Sequence, residues 1–146
     1  MLLPIFQALK IQVSPAHSFA RYQWLDPRNR QLRPALEHGH EVSSHYRPHL
    51  VLVDFTYLPP VSLADELWLS VSWFPKVVKL PYQQVAIVLL AEHLHNQMVM
   101  EAMFWVARHL IRFQVQLFDD VPSALEWLLA DAPATALALQ AEWETS

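Results

Sequence analysis

The chain has 146 residues, 53% of them hydrophobic, and a formal net charge of −4. A chain of this length and composition is predicted to form one domain with a core of its own. Its ten Lys and Arg residues are scattered, so we expect no nucleic-acid partner. The absence of Cys excludes disulfides, thiolate metal sites and a Cys nucleophile, and it favours a cytoplasmic location.

The apolar runs and the glycine content exclude further classes of protein. Residues 1–6 have no basic leader and are not typical of a secretory signal. The longest apolar run, residues 85–91, is far shorter than the roughly 20 residues that cross a bilayer, so we expect no membrane span. Gly39 is the only glycine, which excludes a dinucleotide fingerprint and a P-loop. We therefore expect no cofactor.

The first third of the chain predicts two strands, a helix and a third strand. Residues 9–13 alternate between apolar and polar, and residues 19–25 do the same, which indicates an antiparallel pair. Residues 32–46 carry an apolar stripe at helical spacing and are followed by Pro48, which ends the helix. Residues 50–53 are apolar on both faces, as in a central strand that is covered on two sides.

A second helix is predicted to begin after Ser62. Its expected core stripe is Leu63, Leu67, Val71 and Phe74, and Pro75 should break or kink it, with a brief restart there. The remaining pattern indicates a strand at residues 85–90, a helix at about 96–110, a strand at 113–118 and a last helix from Ser123.

The order of these elements predicts an α/β fold. Residues 1–132 form a single domain with a mixed sheet of about five strands, in the order β-β-α-β-α-β-α-β-α, and with helices packed against it. Residues 133–146 form an Ala-rich tail that is either a short extra helix or a loose end.

Two segments carry a family resemblance. Residues 50–56 read Leu-Val-Leu-Val-Asp-Phe-Thr before a loop and a Ser-capped helix, and residues 117–128 join Leu-Phe-Asp-Asp to an apolar helix. The chain thereby resembles the STAS (anti-sigma-factor-antagonist) superfamily and the related small STAS and Sec14-like (SpoIIAA-like) bacterial domains. The resemblance covers roughly residues 9–130, and many such domains have no assigned activity.

The resemblance implies a possible phospho-switch. In switching members of the superfamily a strand ends in Asp, and a Ser at the start of the following helix is phosphorylated; Asp54 and Ser62 stand at the matching positions. This chain differs because Ser62 follows Val61 rather than Asp, and Leu63-Ala64 replaces the family's Gly-Leu pair. The alternative is that Ser62 simply caps the helix, with Asp65 completing a capping box.

The eight histidines raise the question of a metal site. His38, Glu41 and His45 share one helical face, but two turns, roughly 10 Å, separate the two histidines. His93 and His95 follow a strand at what should be the opposite end of the sheet. Two separate clusters indicate surface histidines, and we expect no metal centre.

Large apolar residues on polar helix faces predict an interface. Trp105 lies in the polar stripe of the third helix, with Met98 nearby, while Leu69 and Trp73 lie among polar residues of the second. Trp, Met and Arg are enriched in protein interfaces, so these four residues are predicted to bury the surface of a homodimer or another protein partner. The alternative is that each is a single exposed hydrophobe, with an indole lying over an arginine stem.

Three functions follow, from different classes. The leading hypothesis is a non-enzymatic protein-interaction or regulatory module. The second is a binder of a small apolar ligand between the helices and the sheet, which the Met, Phe and Trp content and the Sec14-like resemblance both favour. The third is an enzyme that uses loops at the carboxyl ends of the strands, where Ser62, Asp54 and His93 could meet.

Overall fold

The computed structural model describes residues 1–145. Its strands are β1 (Leu9–Ser14), β2 (Phe19–Trp24), β3 (Leu50–Asp54), β4 (Gln84–Val88) and β5 (Gln114–Phe118). Its helices are α1 (Leu32–Tyr46), α2 (Leu63–Trp68), α3 (Phe74–Val77), α4 (Leu94–Ala107), α5 (Val121–Leu128) and α6 (Pro133–Glu144). A 3₁₀ turn (Pro15–His17) joins β1 to β2, and a π-helical turn (Leu69–Trp73) joins α2 to α3.

The five strands form one sheet in chain order. β1 is antiparallel to β2, and β2, β3, β4 and β5 run parallel. Val51 of β3 pairs with Val85 of β4, which pairs with Val115 of β5. The predicted α/β fold with a mixed five-stranded sheet is confirmed, and the carboxyl ends of β2–β5 lie along one end of the sheet.

Each face of the sheet carries its own apolar core. The larger core lies under α1, the π-helical turn, α3 and α4, whose buried residues include Leu36, Leu69 and Met100. The smaller core lies on the other face, under α5 and α6. β3 contributes Val51 to the first and Leu52 to the second, which explains why this strand is apolar on both faces.

The π-helical turn changes which residues of the second helix face the core. The N–H of Phe74 bonds to the carbonyl of Leu69, five residues earlier, so one extra residue is inserted into the turn. Counting back from buried Phe74, the residue on the core side is therefore Leu69, which is only 1% exposed. Pro75 lacks the N–H that a regular α-helix would bond to the carbonyl of Val71, and the irregular turn directly precedes it.

Three residues of the predicted core stripe are consequently on the surface. Leu63 is 72% exposed, Val71 is 73% exposed, and Leu67 is exposed as well. The prediction that they belong to the core was wrong, because it assumed an uninterrupted period of 3.6 residues. Only Phe74 of that stripe is buried.

The Ala-rich tail forms α6 and packs on β1 and β2. The Nε2 of Gln12 donates to the carbonyl of Leu139 at 2.8 Å, and Lys10 donates to the carbonyl of Trp143 at 2.9 Å. The guanidinium of Arg21 lies 3.9 Å from the centre of the Trp143 ring. Within residues 1–145, each helix is too short or too polar to cross a membrane.

Candidate functional site

Three of the exposed apolar side chains of α4 lie on one stripe. Leu94, Met98 and Trp105 occupy positions i, i+4 and i+11 of the helix, which fall on the same face. All three are exposed, while the opposite face of α4 is buried against the sheet through Asn96, Val99, Met100 and Met103. The stripe therefore points directly away from the core.

Trp105 is two-thirds uncovered. It is 66% exposed, and the guanidinium carbon of Arg108 lies 4.0 Å from its ring centre. The same guanidinium donates to the Trp105 carbonyl at 2.6 Å. The predicted exposure of Trp105 and Met98 is confirmed, and Arg108 fixes the position of the indole without removing it from water.

A second stripe lies on the neighbouring helix α2. Leu63 and Leu67 are one turn apart, and Val71 follows in the π-helical turn; all three are exposed. The rings of Phe74 and Phe104 meet edge to face at 5.4 Å, so this helical segment packs beside α4 on the same side of the sheet. We call the six residues of the two stripes the outer face: Leu63, Leu67, Val71, Leu94, Met98 and Trp105.

Two residues of the predicted interface do not belong to the outer face. Leu69 is buried in the larger core, and Trp73 is half-buried, with its Nε1 donating to the carbonyl of Leu36 in α1 at 3.1 Å. The prediction that they are exposed was wrong because the extra residue of the π-helical turn rotates them toward the sheet and α1. Their places on the surface are taken by Leu67 and Val71.

Asp54 and Ser62 have local structural partners. Asp54 is buried at the end of β3, and its Oδ1 accepts from the N–H of Thr56 at 3.0 Å and from the Thr56 hydroxyl at 2.5 Å. Ser62 is exposed, and its Oγ accepts from the N–H of Asp65 at 3.1 Å. Ser62 thus caps α2, as the alternative interpretation expects, while its phosphorylation stays a prediction.

Asn96 of α4 fastens the loop between β3 and α2 to this helix, a role that the sequence pattern did not predict. Its amide nitrogen donates to the carbonyls of Leu58 and Pro59, and its Oδ1 accepts from the N–H of Val61 at 2.9 Å. His95 adds a 2.8 Å bond between its Nε2 and the Val61 carbonyl. The sequence feature that could have identified Asn96 is a polar residue on the face of α4 that packs against the core.

The histidines are dispersed over the described chain. His38 stacks on Phe6 with 4.3 Å between ring centres, and His45 meets Tyr46 edge to face at 4.7 Å. Among residues 1–145, no three His, Asp or Glu side chains are grouped so that they could hold a metal ion. Within the same range no hydrogen bond joins Ser62, Asp54 and His93 to one another.

A cavity of about 70 Å³ lies inside the larger core, between the sheet and the helices α1, α3 and α4. Tyr22 and Tyr82 contribute to its wall. The Tyr22 hydroxyl forms a 2.5 Å hydrogen bond with the Oγ of Ser43, and the Tyr82 hydroxyl donates to the same oxygen at 2.6 Å. Burial raises the pKa of Tyr82 to about 12 and also raises the pKa of Tyr22. Both phenols are therefore neutral at physiological pH.

Arg21 is a buried cation on the opposite face of the sheet. It is 4% exposed, donates to the Oε1 of Gln140 at 2.8 Å and stacks on Trp143. Burial lowers its pKa to about 10, whereas the charges of Asp54 and Glu144 act in the other direction. Arg21 remains charged at neutral pH and holds α6 against β2.

Comparison of the chain with protein-family models, with curated proteins and with solved structures found no match. The candidate site is therefore defined by its own geometry, and the outer face is a surface feature that the packing of the core does not explain.

Proposed function

We propose that this protein is a non-enzymatic interaction module that forms a homodimer through the outer face. The observation that carries the proposal is the stripe of Leu94, Met98 and Trp105 on the side of α4 that points away from the core. A lone exposed apolar residue is ordinary, but several large exposed apolar side chains on two neighbouring helices mark an interaction surface. Trp and Met are among the residues enriched in such surfaces.

The α4 stripe of the outer face can pair with a copy of itself under two-fold symmetry. In a symmetric dimer, each residue pair across the interface occurs twice. If two α4 helices pack antiparallel with the axis beside Ala102, Met98 of one copy lies opposite Trp105 of the other, where a thioether and an indole make a favourable contact. In this arrangement the N-terminal end of one α4, preceded by exposed Glu92, lies beside the C-terminal end of the other, followed by exposed Arg112, so each end brings together charges of opposite sign.

Sedimentation velocity and native mass spectrometry test the proposal. We expect a dimer, and we expect Trp105→Ala to raise the dimer dissociation constant about 30-fold, as when a central side chain that contributes about 2 kcal/mol is truncated. Leu137→Ala is the matched control, since Leu137 is 75% exposed but lies on α6, on the other side of the sheet. A native protein that stays monomeric at every concentration contradicts the proposal.

A charge-reversal pair tests the arrangement of the two copies. We expect Arg112→Glu to weaken the dimer, because it places a carboxylate near Glu92 of the second copy. Glu92→Arg combined with Arg112→Glu should restore the dimer, because the reversed charges attract again. Equal weakening by the double variant and the single variant would contradict the antiparallel arrangement while leaving the outer face as the interface.

The STAS and Sec14-like resemblance, the cytoplasmic location and the Ser62 switch belong to the same proposal. Ser62 is exposed and directly precedes Leu63, so a phosphate there would add about −2 charge at the rim of the outer face. We expect phosphorylation to weaken the dimer, since two such charges would approach an apolar interface. Ser62→Asp compared with Ser62→Asn in sedimentation velocity tests this effect, because both residues keep the helix cap.

A further inference from the structure

We propose that the cavity in the larger core is a binding site for a small, neutral, mainly apolar molecule with one ring. The site lies on the inner side of α1, α3 and α4, whereas the outer face lies on the surface side of α2 and α4, so this proposal is independent of the dimer. Three features of the cavity carry the inference: its size, the glycine in its wall and the adaptable side chains around it.

The cavity is larger than the voids that protein interiors usually contain. Its volume of about 70 Å³ compares with the ~15 Å³ that one water molecule needs and with the ~150 Å³ of an engineered apolar cavity that binds benzene. Protein interiors normally contain few voids larger than a water molecule. The wall is almost entirely apolar, with Val51, Val85 and Ile87 from the sheet, so water is a poor occupant.

The only glycine of the chain lies in the cavity wall. Gly39 is in the middle of α1, where a glycine costs about 1 kcal/mol relative to alanine, and its backbone has no positive φ that would require it. A Cβ at this position would lie 3.6 Å from the Tyr22 ring and 3.7 Å from Leu9, which are ordinary contact distances. The fold therefore accepts alanine here, and glycine leaves room for one methyl group beside Tyr22 and Leu9 in the cavity wall.

The wall is able to adjust to an occupant. Met100 and Met103 of α4 line the cavity, and methionine is flexible and polarisable enough to fit rings of different shape. Trp73, at the end of the π-helical turn, lines it as well, and such turns occur frequently at functional sites. A ligand larger than the resting volume would be accommodated by shifts of the two methionine side chains.

The polar groups of the wall define the chemistry of the ligand. The hydroxyls of Tyr22 and Tyr82 are already bonded to Ser43, and half-buried His40 is the remaining titratable side chain of the lining. Among residues 1–145, no carboxylate, lysine or arginine lines the cavity, so a charged ligand would lose its hydration without gaining an opposite charge. The site suits a ring with at most one hydroxyl or N–H group.

Toluene and p-cresol are suitable probes, with benzoate as the charged counterpart. We expect both neutral probes to bind saturably, with one molecule per chain, and to shift the ¹³C-methyl NMR signals of Met100 and Met103 while leaving exposed Met98 unchanged. Benzoate should produce no such shifts. The proposal is wrong if neither neutral probe moves the Met100 and Met103 signals, or if Met98 responds as strongly as they do.

Gly39→Ala tests the location of the site without disturbing the fold. The added methyl group fills part of the cavity, so we expect toluene to bind about tenfold more weakly, a change of ~1.4 kcal/mol in binding free energy. Ser44→Ala is the matched control, because it also raises helix propensity in α1 but lies on the exposed side. Unchanged toluene affinity in Gly39→Ala overturns the proposal, whereas Trp105→Ala should leave the affinity unchanged.

Discussion

Burial keeps two tyrosine hydroxyls protonated in the larger core. Because burial raises the pKa of Tyr82 to about 12, above the value of about 10 in the unfolded chain, the folded state binds the proton more tightly than the unfolded state. This contribution to the free energy of unfolding is complete below about pH 10 and is lost as the pH rises toward about 12. Tyr22 acts in the same direction. We therefore expect urea midpoints to fall steeply above about pH 10.

Tyr82→Phe isolates one of these two groups. The variant loses the 2.6 Å bond to Ser43, which should cost about 1 kcal/mol at neutral pH, and its stability should fall less steeply between about pH 10 and pH 12. Tyr57→Phe is the control, since Tyr57 is exposed. Identical pH profiles for the native protein and Tyr82→Phe would show that the buried phenol does not govern alkaline unfolding.

Asn96 illustrates a polar residue that supports the structure at a core position. Its side chain satisfies the N–H of Val61 and the carbonyls of Leu58 and Pro59 in the loop between β3 and α2. Asn96→Ala leaves these buried groups unpaired, so we expect the free energy of unfolding to fall by about 2–3 kcal/mol in urea titration. Gln97→Ala, one residue further on and partly exposed, should change it by less than about 0.5 kcal/mol. Similar losses in the two variants would contradict this role.

At the scale of elements, the π-helical turn decides which face of the second helix is buried. Leu69 is 1% exposed and Leu67 is on the surface, although the regular stripe of the sequence assigns them the reverse positions. We expect Leu69→Ala to lower the free energy of unfolding by about 2–5 kcal/mol and Leu67→Ala to change it by less than about 0.5 kcal/mol. Comparable losses in urea titration, or a larger loss for Leu67→Ala, would contradict the burial of Leu69 and indicate that the regular helical stripe of the sequence is the buried one.

The π-helical turn is also the element that the sequence pattern did not predict. Strands such as β3 were predictable because a period of two and a two-sided apolar run depend only on neighbouring residues. The exposure of Met98 and Trp105 was predictable for the same reason, since α4 is regular. The burial of Leu69 was not, because the inserted residue shifts the helical phase. The cavity depends on how distant elements pack, so no local pattern contains it.

At the scale of the whole molecule, the arrangement of the sheet and its two cores predicts which backbone amides exchange slowly with solvent and which exchange fast. β3 and β4 are paired on both sides and covered on both faces, so their amides should exchange only through global unfolding. β5 is an edge strand whose Gln114 N–H bonds to the carbonyl of Gln83. Since successive N–H groups of a strand point to opposite sides, Gln116 also donates toward β4, while Val115 and Leu117 point outward.

This pattern distinguishes two ways in which the molecule could associate. If two copies join through the outer face, the outward amides of Val115 and Leu117 stay in water, and NMR-detected exchange should be fast there and slow at Gln116. If two copies instead extended the sheet edge to edge, both outward amides would form hydrogen bonds and exchange slowly. Measured at a concentration where the native protein is dimeric, slow exchange at Val115 and Leu117 would assign the interface to β5 and contradict the role proposed for Met98 and Trp105.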